Sequence, residues 1–106
     1  MTVTDLHIPA DHPAYAGHFP GRPILPGVVI LDASLRAIAE SAGRTPVRWR
    51  IEHAKFKSPV TPGEPLTMEH EGATTGPLRL TVRAAGRVVA VAEVSALWSD
   101  EPHRER

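Results

Sequence analysis

A chain of 106 residues with twelve basic and twelve acidic side chains, a formal net charge of zero and 42% hydrophobic residues reads as one small globular domain. Zero net charge supplies no field for non-specific nucleic-acid binding. The absence of cysteine excludes disulfides, thiolate metal sites and a cysteine nucleophile. The opening stretch, MTVTDLHIPADH, has neither the basic nor the apolar region of a secretory signal. The longest apolar run, Val28 to Leu31, is too short to cross a bilayer. A cytoplasmic location without membrane insertion is the expectation. A domain this small buries a modest fraction of its surface, so oligomerisation is expected to help it.

The elements follow in chain order. Thr2 to Ile8 reads as a short first strand and Pro9 to Pro13 as a turn region. Pro20, Pro23 and Pro26 exclude a helix between them. Val28 to Ala42 reads as a helix, with Val28, Leu31, Leu35, Ile38 and Ala42 at three- and four-residue steps. Gly27 stands at its start and Gly43 just past its end, where a glycine suits the left-handed cap. Val29, Ile30, Ala33 and Ala37 make a second apolar face, which predicts a helix buried nearly all round against a sheet. Val47 to Phe56 alternates, with Val47, Trp49, Ile51 and His53 on one face and Arg48, Arg50, Glu52 and Ala54 on the other. Pro59 and Pro62-Gly63 end it. Leu66, Met68 and His70 mark the next strand, and Leu78, Leu80 and Val82 another. Ala85-Gly86 makes a hairpin turn into a final strand from Val88 to Trp98. One helix followed by four sequential strands predicts an α+β fold, an antiparallel sheet wrapped around one long helix. The domain spans 1–99, and the charged tail 100–106 is expected to be disordered.

The segment Gly17 to Ala33, GHFPGRPILPGVVILDA, holds the candidate chemistry. His18 precedes Asp32 by fourteen residues, with three prolines and two glycines fixing the backbone between them. Imidazole titrates near neutrality, and burial can raise a carboxyl group towards that range, so such a pair can move protons. The apolar neighbours of Asp32 predict that it is buried; the competing reading is a surface pair with Arg36 one turn later. His7, His12 and His18 are spaced by five and six residues, which fits no helical metal pair, so no metal is expected. His53 and His70 read as structural strand residues, and His103 lies in the tail. Trp49 and Trp98 read as core or interface aromatics.

GHFPGRPILPGVVILD resembles the signature of the 3-hydroxyacyl-acyl-carrier-protein dehydratases, which have the hotdog fold. Lys55 to Glu64, KFKSPVTPGE, resembles the family's strand and Pro-Gly-acidic turn, and Arg87 to Glu93, RVVAVAE, its penultimate hairpin and last strand. The similarity runs from Asp5 to Leu97. Family members of usual length carry a segment before the first strand, so the chain is similar to the short forms of aryl-polyene and other polyketide clusters. One branch of the family has Glu at the position of Asp32 and the other Asp. The loop is more similar to the Glu branch, which implies no double-bond isomerisation.

The resemblance implies dehydration of a 3-hydroxyacyl thioester to the trans-2-enoyl thioester in fatty-acid or polyketide-type biosynthesis. It assigns His18 as the base, Asp32 as the partner of the leaving hydroxyl, and the Gly27 backbone N–H as the donor to the thioester carbonyl. Val28 and Phe19 are candidates for a second main-chain contact. Phe19, Leu25, Ile30 and Leu31 are candidates for an acyl tunnel, with core packing the equal alternative. The implied partner is an acyl carrier protein, whose phosphopantetheine bears the substrate, and no further cofactor is implied. Arg22, Lys55 and Lys57, with Arg48 and Arg50, could form its docking rim; a solvated strand face is the competing reading. The resemblance also implies a homodimer in which His18 of one protomer faces Asp32 of the other, with a heteromer or an assembly of dimers as alternatives. Two other functions fit the sequence. One is a hotdog thioesterase, using Asp32 without need of His18; the other is a non-catalytic acyl-binding partner subunit.

Overall fold

The computed structural model describes residues 2–9, 11–13, 24–43, 46–72 and 76–98. His18, Phe19, Arg22 and the tail 100–106 lie outside the described residues. Within them run β1 (Thr2–Leu6), α1 (Gly27–Ala42), β2 (Arg48–Phe56), β3 (Leu66–Gly72), β4 (Pro77–Ala84) and β5 (Arg87–Leu97). All the strand pairs are antiparallel, in the order β1-β3-β4-β5-β2. The strand that follows the helix therefore does not pair with the next one in sequence. It crosses to the far edge and pairs with β5.

The sheet has one apolar face and one polar face, as period-two alternation demands. Met68, Leu78, Leu80, Val82, Ala92 and Val94 are buried on the inner face. The outer face carries pairs such as Arg83–Glu69 at 3.4 Å and His53–Glu93 at 3.3 Å. The hairpin between β4 and β5 turns at Ala85 (φ 52°) and Gly86 (φ 84°). Positive φ at both central residues is the twist-matched choice for a two-residue turn.

The alternation expected for β2 holds only in its first half. Ile51 pairs with Val94 and His53 with Glu93, so Glu52 is an extra residue, a β-bulge. The bulge reverses the faces beyond it. Trp49 and Ile51 share the inner face with Ala54 and Phe56, while His53 joins Arg48, Arg50 and Lys55 outside. His53 thus leaves the face predicted for it, and Ala54 packs against the core.

Helix α1 starts after Pro26, whose φ of −62° and ψ of 142° are extended, and ends at Gly43 (φ 74°). The Gly43 N–H reaches the Ala39 and Glu40 carbonyls, closing the helix through a residue that takes the left-handed conformation without strain. Its buried stripe is Ile30, Ser34 and Ile38. Ser34 is accommodated because its hydroxyl donates to the Ile30 carbonyl at 2.9 Å. The predicted stripe and the prediction of near-complete burial do not hold for the single chain. Val28 is 69% exposed, and Asp32, Arg36 and Glu40 continue an open stripe at four-residue steps. Leu31, Leu35 and Ala37 flank the core half-buried. Residues of both predicted faces pack against the core, and the uncovered stripe between them is the polar one that begins at Val28. Among the described residues, no helix is long and apolar enough to cross a membrane.

Candidate functional site

Helix α1 begins beside a groove of about 450 Å³, lined among others by Leu25, Gly27, Ile30, Phe56, Lys57 and Ser58. Three local features build it. Leu25 N–H donates to the Val60 carbonyl at 2.8 Å, tying the chain before the helix to the β2–β3 connection. Pro26 sets an extended entrance, and its carbonyl takes the Val29 N–H at 3.0 Å. Among the described residues no side chain caps the helix, and its first turn holds no acidic residue. The N-terminal amides therefore face the groove with about half a positive charge from the helix dipole. An anionic or carbonyl oxygen placed there would be stabilised.

Gly27 has a steric reason to be glycine. A Cβ on it would stand 2.6–2.7 Å from the Phe56 ring, closer than any real Cβ contact. The aromatic ring of β2 thus lies flush against the first helical residue, leaving the main chain without a side-chain screen of its own.

The candidate residues distribute unevenly around this groove. Gly27, Leu25 and Ile30 all line it, with Leu25 and Ile30 buried and Leu31 half-buried. Asp32 does not line it. In the single chain its side chain is 61% exposed, and Arg36 Nε donates to Asp32 Oδ2 at 2.9 Å. The burial predicted from its neighbours fails because Asp32 falls on the open stripe of α1, between the two flanks that touch the core. Lys57 is exposed at the groove's rim, whereas Lys55, Arg48 and Arg50 are exposed on the outer face of β2. Among the described residues, no group of three His, Asp or Glu side chains is placed to hold a metal ion. Trp49 is half-buried against the core.

Sequence reasoning missed two features. The first is an ion pair between Arg87 and Glu64, with Arg87 Nη2 and Nη1 donating to Glu64 Oε1 and Oε2 at 2.9 and 3.0 Å. These bonds hold the Glu64 carboxyl below the usual carboxylate range and push the Arg87 guanidinium up. The pair links positions 23 residues apart, beyond any local pattern, and only the Pro-Gly-acidic turn hinted at it. The second is His70, which is 8% exposed on the inner face, its Nε2 buried without a partner among the described residues. Burial lowers its pKa below the usual imidazole value.

The family model described as ApeI-like, ApeI dehydratase, matches residues 1–93. Two curated relatives bear the description 3-hydroxyacyl-[acyl-carrier-protein] dehydratase FabZ. The protein of Symbiobacterium thermophilum is 40% identical over 76 residues, covering 65% of this chain and 54% of its own. That of Granulibacter bethesdensis is 33% identical over 105 residues, covering 86% of this chain and 61% of its own. The chain thus spans little more than half the length of these relatives. Among solved structures, the dehydratase heterocomplex ApeI:P of Xenorhabdus doucetiae superposes with a TM-score of 0.73. That match has 21% identity and covers 90% of this chain and 85% of the other. It establishes the same fold.

Proposed function

This chain belongs to the ApeI-like dehydratase family, and from that premise we propose that it removes water from a 3-hydroxyacyl thioester carried on an acyl carrier protein, giving the trans-2-enoyl thioester. The observation that carries the reading beyond family membership is the uncapped N-terminus of α1 at an apolar groove. Dehydration next to a thioester passes through an enolate-like state, and negative charge then grows on the carbonyl oxygen. The Gly27 N–H is the donor for that oxygen. His18 takes the proton from the carbon beside the carbonyl, the bond between the third carbon and its hydroxyl breaks, and Asp32 supplies the proton with which the hydroxyl leaves as water. The enzyme ends with His18 protonated and Asp32 ionised, and proton exchange resets both. No metal or redox cofactor enters this scheme.

The same reading places two copies together. Among the described residues edge strand β2 pairs with β5 alone, and its other side offers a hydrogen-bonding rim. Ile51 and Phe56 on its inner face are 46% and 50% exposed, and Val47 just before it is exposed too. A second copy across this edge would cover them, and the family resemblance assigns its His18 to the Asp32 of the first copy. A heteromer, such as the one named for the Xenorhabdus doucetiae protein, is the competing assembly. Lys57 at the groove's rim is the docking cation best placed for an acidic carrier protein, with Arg22 and Lys55 as further candidates. The cytoplasm, where acyl carrier proteins work, is the proposed location.

Mass spectrometry of a 3-hydroxyacyl carrier protein incubated with the chain tests this. Loss of one water with wild type, and not with His18→Ala or Asp32→Asn, is expected. Release of free acid that survives His18→Ala would instead make the protein a thioesterase acting through Asp32.

A further inference from the structure

We propose that Arg87 is a positioning residue for the groove, locking the β2–β3 connection against the entrance of α1; this rests on the dehydratase reading for its use, though not for its geometry. A guanidinium has five N–H donors in a rigid fork, and here every one is engaged. Nε donates to Ser58 Oγ at 3.0 Å. Nη1 donates to Glu64 Oε2 at 3.0 Å and to the Ala84 carbonyl at 3.3 Å. Nη2 donates to Glu64 Oε1 at 2.9 Å and to the Pro59 carbonyl at 2.8 Å. One side chain on the β4–β5 hairpin thus grips both ends of the connection from Ser58 to Glu64.

Besides this grip, the connection is held by the buried Val60 and by a few main-chain bonds. Pro59 and Pro62 have no N–H to give, and Glu64 is further fixed within its own turn, where the Thr61 N–H donates to its Oε1 at 3.0 Å and its own N–H donates to the Thr61 carbonyl at 3.3 Å. Yet the connection performs two tasks at the site. Ser58 and Pro59 form a wall of the groove. The Val60 carbonyl receives the Leu25 N–H two residues before Gly27, and Val60 itself is fully buried. The position of the Gly27 amide is therefore linked, through Leu25 and Val60, to the residues that Arg87 clamps. The Lys57 N–H fastens the near end to the Val89 carbonyl at 2.8 Å. Val89 is the extra residue between the Val82–Ala90 and Arg83–Val88 pairs, so its carbonyl is not committed to the β4 ladder.

Lysine cannot reproduce a planar fork, so Arg87→Lys should behave like Arg87→Met. Arg83→Met is the control, since Arg83 pairs with Glu69 on the outer face and does not reach the connection. Amide hydrogen exchange on the labelled full chain gives the first readout. Leu25 should lose protection at least tenfold in both Arg87 variants while Val82 in β4 keeps its own, and Arg83→Met should change neither. Unchanged Leu25, or Leu25 and Val82 falling together, would overturn the clamp. Turnover gives the second. At equal folded fraction, kcat should fall about tenfold in both Arg87 variants; unchanged kcat beside a labile Leu25 would overturn its role at the site. Absence of turnover in wild type would strike the dehydratase reading alone, because the exchange result is read independently of it.

Discussion

Gly27→Ala is expected to change sign with its background. In wild type the added Cβ would stand 2.6 Å from Cδ1 and 2.7 Å from Cε1 and Cγ of Phe56. Ordinary contact begins near 3.5 Å, so the ring must retreat by roughly 1 Å. Overpacking of this kind costs about 1–3 kcal/mol. The lower half of that range applies here, because Phe56 is 50% exposed and can turn outward. With the ring removed, the helix alone decides. Alanine is then preferred to glycine by part of the roughly 0.5–1 kcal/mol that applies in a helix interior, since Gly27 is the first helical residue. Gly27→Ala should therefore destabilise the wild type by about 1–2 kcal/mol and stabilise Phe56→Ala by a few tenths or more. Urea denaturation of the four proteins of this double-mutant cycle gives the coupling energy, at one fixed protomer concentration because association contributes to stability. The same cost of Gly27→Ala in both backgrounds would refute the reasoning. It would mean that Gly27 is required for something other than the Phe56 ring.

Three more outcomes follow from the structure. His70 has a folded-state pKa below its ordinary 6.5, so the unfolded chain binds the extra proton more readily. Stability should be complete above about pH 6.5 and decline as pH falls through that value; urea midpoints of wild type and His70→Leu between pH 7.5 and 5 should diverge only at the acidic end, and parallel curves would refute it. In the Ile51→Lys background, where single chains prevail, Asp32→Asn should change stability by less than about 0.5 kcal/mol, because its pair with Arg36 is exposed on both sides within one chain, and in wild type it should abolish dehydration; a fall in the urea midpoint of the single chain worth well over 1 kcal/mol would contradict the open placement of α1's stripe. Ile51→Lys should shift the assembly towards single chains in sedimentation without unfolding them, since Ile51 is 46% exposed within one chain; an unchanged sedimentation coefficient would remove β2 from the interface.

Much of this was legible in the sequence, for reasons that differ by element. The strands β3 and β4 could be read because their alternation is strict, and β5 because it follows a hairpin turn at Ala85-Gly86 and alternates from Ala90 onward. The bounds of α1 could be read from Gly27 and Gly43. Strand β2 could be only half read. A bulge at Glu52 adds a residue without any change in composition, and period-two counting then assigns His53 and Ala54 to the wrong faces. The Arg87–Glu64 clamp was invisible for another reason. It depends on β2 crossing to the far edge, which brings the connection from Ser58 to Glu64 against the β4–β5 hairpin.

The helix shows where a single chain stops being a sufficient frame. Its sequence is apolar on two faces, and periodicity reports how many faces avoid water but not what covers each. The sheet covers Ile30, Ser34 and Ile38. Val28 remains 69% exposed beside Asp32 on the other side, and the edge that would adjoin it leaves Ile51 and Phe56 uncovered. Exposure of a lone apolar residue means little. Here, however, exposed apolar residues occur together on the first turn of α1 and the inner face of an edge strand. The carboxylate that the resemblance assigns to catalysis lies on that same open stripe. A buried Asp32 inside one chain would have needed a partner within the core. An Asp32 at the seam between two chains is free to receive its histidine from the second. In the proposed assembly, the Asp32 side chain that is exposed in the single protomer would be covered at the seam.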